Sequence, residues 1–347
     1  MNVQKKLRFA IIGAGTIAQS YAEAFAINSL AEVVAVADVR LDAARRLAAQ
    51  FSAPAYGSHG ALLAGRSFDA ALVCTTPATH CPIVLDLMRT GKHVLCEKPL
   101  AIDVPSARRM LQAAREAGTW LTMGSKFRYV DDVVKSKHYI AQGLIGEVVS
   151  IENAFTSRVE MAKRWHANPA ESGGGVIIDN GTHSVDIVRY LTGPIVTIAA
   201  SEAARFQQLP VEDTAHVVAR TEHNVLAAID LSWSINKQTE SYIRVCGSDG
   251  TIALDWIGSK YCSAHGGTWV RFGNGYNKVA ALGAQLDNFC RAIKGEEPLL
   301  ITAEDALASV ETITAAYRSL RSHRWVTVRS EELLKQPLSG FAAAGGS

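Results

Sequence analysis

A glycine loop set between two different periodicities constrains this chain more than any other feature. Phe9-Ala-Ile-Ile12 is a continuous apolar run, Gly13-Ala-Gly15-Thr16-Ile17-Ala18 follows at once, and Ile17, Tyr21 and Phe25 then recur at helical spacing. A strand buried on both faces, a tight turn and a helix packed on the sheet satisfy that pattern. Gly13 permits the turn, Gly15 leaves the backbone without a Cβ, and Ala18 allows the helix to pack closely. Such a loop is either an ordinary strand-to-helix turn or the place where the helix N-terminus receives a dinucleotide pyrophosphate.

The alternation continues to about residue 123, through apolar runs at Val33–Ala37, Ala70–Cys74, His93–Cys96 and Thr119–Met123. Between the last two, Asp103 opens a helix that runs to about Ala117, and Gly118 ends it. After Lys126 the pattern changes to a helix over 131–142 and then to strands over 147–155, 195–200, 215–220, 225–233, 241–246 and 250–256. Two helices, 280–294 and 303–321, close the chain, the second packing back on the first half.

The fold class is therefore α/β. An N-terminal Rossmann domain with a doubly wound parallel sheet (1–126) is followed by a C-terminal α+β domain with an open, mostly antiparallel sheet (127–330). Residues 331–347, rich in glycine and alanine, read as a flexible tail.

With 347 residues and 48% hydrophobic residues the chain can build two cores, and a net charge of +2 gives no general attraction for nucleic acid. Cys74, Cys81, Cys96, Cys246, Cys262 and Cys290 form no C-x-x-C pair, so reduced thiols in a cytoplasmic protein are expected. Lys5, Lys6 and Arg8 before an apolar run imitate a secretory leader, but Gly13, Gly15 and Gln19 interrupt it, and no later stretch is long enough to span a membrane.

Asp38 follows the second strand, where a carboxylate accepts hydrogen bonds from the adenosine ribose and repels a 2′-phosphate. NAD is the expected cofactor; Arg40, two residues on, leaves NADP open, and Asp38 can instead cap the helix starting at Leu41. At the end of a later strand, Glu97-Lys98-Pro99 places an acid and an amine beyond the carboxyl edge of the sheet. Lys98 can steady the oxyanion formed as hydride leaves carbon, with Glu97 holding it and the nicotinamide ribose. A plain surface ion pair is the competing reading.

Gly173-Gly174-Gly175 precedes a helix that carries Asp179 and His183, four residues apart and so on one face. They can converge on one substrate hydroxyl, supply two ligands to a metal ion, or buttress a buried helix. No third ligand is evident, so no metal is assigned.

On Gly13-Ala-Gly-Thr-Ile-Ala18, Thr75-Thr76-Pro77 with His80, Glu97-Lys98-Pro99 and Gly173 through Asp179 to His183, the sequence resembles the Gfo/Idh/MocA oxidoreductases, the glucose-fructose oxidoreductase and inositol dehydrogenase family. The likeness is specific over residues 7–190 and looser to about 320. It implies a Rossmann domain, an open-sheet domain that mediates homodimers or homotetramers, and an active site between them. It also implies that Lys98 is the catalytic lysine, His183 the proton acceptor and Asp179 its substrate-orienting neighbour, with the Lys98-Pro99 peptide cis. The cofactor set becomes Gly13, Gly15, Thr16, Ile17, Asp38, Val39, Arg40, Thr75, Thr76, Pro77, His80, Glu97 and Lys98.

The expected reaction moves a hydride between nicotinamide and a secondary hydroxyl or ketone of a sugar, sugar derivative, sugar nucleotide or cyclitol. Substrate contacts are expected from Lys126, Arg128, Trp165, Asp179, Asn180 and His183. Lys126 and Arg128 can receive a phosphate or carboxylate and Trp165 can stack on a sugar face, or these residues belong to solvated basic loops. Two other readings stay open: a glycosidase or epimerase that oxidises its sugar only transiently, and a regulatory protein that binds NAD without chemistry.

Overall fold

Alternate residues of β1 (Leu7–Ile12) enter different cores: Phe9 and Ile11 join one, Ala10 and Ile12 the other. Two-sided burial explains why this strand reads as an unbroken apolar run. The computed structural model describes residues 5–264 and 267–328; the expected tail from residue 331 lies outside them.

From β1 the chain runs through α1 (Thr16–Ala26), β2 (Ala31–Ala37), α2 (Leu41–Ala49), β3 (Ala55–Tyr56), α3 (His59–Gly65) and β4 (Ala70–Val73). It continues through α4 (His80–Arg89), β5 (His93–Glu97), α5 (Val104–Ala117) and β6 (Leu121–Gly124). The strands form one parallel sheet ordered β3-β2-β1-β4-β5-β6. Strand order reverses between β1 and β4, which opens a crevice beyond their carboxyl ends. Asp103 caps α5 by accepting from the Ser106 N–H at 2.7 Å, and Gly118 ends it at a φ of 62°, as expected from sequence.

After α6 (Asp131–Ala141) come β7 (Val148–Thr156), α7 (Pro169–Ser172), α8 (Val176–Thr192), β8 (Ile195–Glu202), β9 (Thr214–Thr221) and β10 (Leu226–Ser232). Then follow β11 (Ser241–Gly247), β12 (Gly250–Asp255), β13 (Lys260–Ser263), β14 (Val270–Arg271), α9 (Lys278–Ile293), α10 (Ala303–Ser322) and β15 (Val326–Thr327). The second sheet is ordered β14-β13-β12-β11-β7-β10-β9-β8-β15, and only β7 and β10 pair in parallel. The six strands expected here are present with ends shifted by at most two residues. β3, β13, β14 and β15 went unread because two to four residues are too short to show a period.

Helix α8 lies between this sheet and α10: a Cβ added to Gly181 would sit 3.1 Å from Leu231 and 3.4 Å from Ile313. Helix α10 returns to the first domain, where Glu311 pairs with Arg108 at 2.7 Å and Glu304 with Arg115 at 2.9 Å. Helix α9 returns as well, which the sequence did not announce. Its Phe289 meets Phe9 edge-on with ring centroids 6.1 Å apart, and Gln285 accepts from the Tyr21 hydroxyl at 3.0 Å. Both covering helices fix the second domain against the first. Among the described residues no helix is long and apolar enough to cross a membrane.

Candidate active site

The loop after β1 is shaped by its own backbone. Gly13 has a φ of 95°, and a Cβ there would lie 2.6 Å from the Cys74 carbonyl carbon, so only glycine lets the loops after β1 and β4 touch. At Gly15 an added Cβ would meet no atom within 4 Å, and no side chain caps α1. The first turn of α1, at Thr16 and Ile17, thus keeps its N–H groups free of a capping side chain beside an open space at Gly15, which fits a pyrophosphate.

Asp38 sits beside it, its Oδ2 accepting from the Ala14 N–H at 2.7 Å and its Oδ1 from the Arg40 N–H at 2.8 Å. The residue before α2 is Arg40, and no side chain caps that helix, so Asp38 is not its cap. Each carboxylate oxygen keeps a second lone pair for a ribose hydroxyl. Arg40 Nε lies 3.6 Å from Asp38, and Val39 is exposed at the rim. Thr75 and Thr76 border the crevice after β4, where Thr79 donates to Thr75 Oγ1 at 2.8 Å and Pro77 opens a short turn.

His80 departs from expectation. It is fully buried, with ring nitrogens 3.0 Å from the Pro99 carbonyl and 3.1 Å from the Thr75 carbonyl. It ties the loop after β4 to the Lys98-Pro99 turn. That peptide is cis.

At the end of β5 Glu97 is buried, so it is no surface partner; its Oε2 accepts from the Lys98 N–H at 3.1 Å. Burial pushes its carboxyl up, offset in part by Lys126 and Lys98. Lys98 reaches across to α8, donating to Asp179 Oδ1 and, at 3.3 Å, to the Asp179 carbonyl. Burial works to raise the Asp179 carboxyl, but Lys98, His166 and its hydrogen bonds prevail and hold it below the usual range. Asp179 is therefore an anion that holds Lys98.

One turn on, His183 is buried, and burial, then Lys126, then Lys98 push its imidazole well down, leaving it neutral. Lys126 Nζ lies 3.2 Å from His183 Nε2. Asn180 donates to the Phe155 carbonyl at 3.2 Å and so ties α8 to β7.

Arg128, expected at the substrate, is engaged inside the protein. Its guanidinium is buried, holds Asp186 through two hydrogen bonds and donates to the Leu300 carbonyl at 3.2 Å. Asp305 lies 3.3 Å away as a further counter-charge. Those internal partners occupy the donors that a substrate anion would need. The glycines before α8 likewise serve the protein: a Cβ at Gly175 would lie 2.0 Å from the Glu212 carbonyl oxygen, and one at Gly174 as close to the Tyr317 hydroxyl. Glu212 fills the α8 N-terminus, accepting from the Gly175 and Ile177 N–H groups at 3.1 and 3.0 Å.

Residues 7–125 match the Gfo/Idh/MocA oxidoreductase family, described by its NAD-binding Rossmann fold, and residues 133–253 match the Gfo/Idh/MocA C-terminal domain. The chain belongs to the Gfo/Idh/MocA oxidoreductases. Inositol 2-dehydrogenase of Rhizobium meliloti is 27% identical, covering 93% of this chain and 99% of that protein. The 1,5-anhydro-D-fructose reductase of Ensifer adhaerens is 31% identical over 71% of this chain and 74% of its own. The crystal structure of GenD2 from gentamicin A biosynthesis, in complex with NAD, superposes with a TM-score of 0.84 at 27% identity, covering 95% and 98% of the two chains.

Within this Gfo/Idh/MocA site, a wall of rings that the sequence does not mark stands beside His183. Phe127 and Phe155 stand 5.0 and 6.4 Å from its ring, Tyr276 stacks on Phe127 at 5.1 Å, and Tyr242 stacks on both Phe155 and the partly exposed Trp256, at 6.0 and 4.4 Å. These rings come from segments far apart in sequence, so no local pattern marks them. Trp165, the expected stacking residue, lies parallel to its own neighbour His166 at 3.6 Å. His166 in turn feels the Asp179 charge, although burial keeps its imidazole low.

Proposed function

We propose that the chain is an NAD-dependent dehydrogenase or reductase acting on a secondary hydroxyl or ketone of a sugar, sugar derivative, sugar nucleotide or cyclitol. The observation that carries this reading is the reach of Lys98, from the edge of the parallel sheet, to Asp179 on the helix that also bears His183. It brings an amine, a carboxylate and a neutral imidazole together at the mouth of the cofactor crevice. Inositol 2-dehydrogenase and 1,5-anhydro-D-fructose reductase among the relatives support a polyhydroxylated substrate, and the ring wall offers it an apolar face.

The Gly13–Ala18 loop would hold the pyrophosphate and Asp38 the adenosine ribose. Bound NAD supplies the hydride acceptor. Lys98, oriented by Asp179, donates a hydrogen bond to the substrate oxygen and steadies the negative charge that grows there. His183, neutral because it is buried between cations, takes the hydroxyl proton. In the reductive direction it returns it. The ring wall excludes water from the reacting carbon.

The second sheet's outward positions, including Leu226, Ala228 and Val218, support association of copies into a homodimer or homotetramer through this face. Light scattering on the purified protein tests it. The six free thiols support a cytoplasmic setting. The function itself is tested by screening the NAD-loaded protein against inositols, hexoses, glycosides and sugar nucleotides. One NADH per oxidised substrate is expected; product without accumulating NADH would mark a transient-oxidation enzyme instead.

A further inference from the structure

His183 carries an inconsistency with its role as base. Lys126 Nζ lies 3.2 Å from Nε2, and Nδ1 is buried without a hydrogen-bond partner among the described residues. An ammonium only donates, so while Lys126 is charged it occupies the Nε2 lone pair that a hydroxyl proton needs. Lys126 makes no ion pair among the described residues, although its neighbours on both sides are fixed. Ser125 donates to Asp186 Oδ2 at 2.6 Å, and Arg128 holds both oxygens of the same carboxylate. Asp186 lies on α8, three residues beyond His183. The segment carrying Lys126 is thus clamped to the helix carrying the imidazole, and the contact between amine and ring is built in.

We propose that Lys126 is the relay partner of His183, receiving the substrate's hydroxyl proton from the imidazole in oxidation and returning it in reduction. The inference rests on the oxidoreductase reading above. In oxidation the substrate O–H bond breaks and its proton joins His183 Nε2. That new N–H bond then breaks in favour of the lone pair on neutral Lys126, which becomes an ammonium, and the imidazole ends as it began. The C–H electron pair would leave as hydride to the nicotinamide that bound NAD supplies, and the former O–H pair completes the carbonyl.

The acid strengths run the right way. Burial, with Lys98 and Lys278 alongside, brings Lys126 down to about 8 against the pull of Glu97 and Asp179, whereas His183 is held well below its ordinary value. Those groups face Lys126 from the end of β5, from α8 and from the start of α9. A proton leaving the ring therefore finds a stronger base beside it.

The test uses the substrate-free, full-length protein with its histidines labelled with nitrogen-15. In the wild type, the His183 ring shifts should show a step with its midpoint at about 8 and no imidazolium signature, because loss of the Lys126 proton frees Nε2. Lys126→Met and Lys126→Gln should both abolish it, with amide spectra confirming the fold. In active enzyme both variants should lower kcat by about tenfold or more, leave KM within about twofold, and remove the inflection near 8 from the oxidation profile. A flat wild-type titration, or a step that survives both substitutions, overturns the relay. If the step is present but no substrate on the panel is oxidised, the proposed activity fails and the pairing stands; a flat titration in an active enzyme removes only the relay.

Discussion

Arg128 holds Asp186 through Nε to Oδ2 at 3.0 Å and Nη2 to Oδ1 at 2.6 Å, with both side chains buried. This pair joins the segment after β6 to α8 beside Lys126 and His183. Breaking a buried pair from one side leaves a charge without a partner.

Arg128→Met should therefore destabilise the protein by about 3–5 kcal/mol, read by chemical denaturation. Turnover should fall as well, because Lys126 loses its fixed register against His183. An Arg128→Met protein as stable as wild type, binding anionic substrates more weakly, would return the guanidinium to the substrate.

The Lys126 amine makes a signed prediction about stability. Its ordinary pKa of 10.5 falls to about 8 on folding, so between those values the unfolded chain holds more protons and stability rises with pH. Buried tyrosines such as Tyr129 and Tyr242, pushed up by burial, act in the opposite sense in the alkaline range. The measurement is accordingly the difference between wild type and Lys126→Met. The variant should be the more stable at neutral pH, and its advantage should shrink from about 8 toward 10.5. A difference independent of pH would contradict the assignment.

In the proposed function Asp38 sets cofactor choice, because its carboxylate, fixed by the Ala14 and Arg40 N–H groups, would bind a ribose and repel a 2′-phosphate. Wild type should favour NAD over NADP. Asp38→Ser should weaken NAD binding and raise the NADP/NAD ratio of kcat/KM by about tenfold or more, with Arg40 then free to meet the phosphate. An unchanged ratio would deny Asp38 that role.

Trp256 closes the ring wall at its exposed end. Trp256→Ala should raise the substrate KM roughly fivefold while leaving the NAD dissociation constant unchanged, as expected for loss of one stacking face. Equal loss of both affinities would place the ring elsewhere in function.

The parallel half of the fold is legible in sequence because its strands are buried on both faces and its glycines stand at loops with one geometric solution. Asp179 and His183 are legible too, since helical spacing alone puts them on one face. What the sequence hides is pairing at long range. Arg128 reads as a basic substrate residue until Asp186 comes to meet it, and Lys126 until His183 does. Nothing local shows that the glycines before α8 make way for Glu212 and Tyr317. The rings of Phe127, Phe155, Tyr242, Trp256 and Tyr276 converge only when two sheets and their loops are in place.

In the proposed reaction the decisive contact is that of Lys98 with the substrate oxygen. Lys98→Met, measured in parallel for NAD binding by calorimetry and for oxidation of the best substrate from the panel, tests that directly. NAD affinity should stay within about threefold of wild type while kcat falls by about a hundredfold or more. A variant that turns over at the wild-type rate would contradict the account.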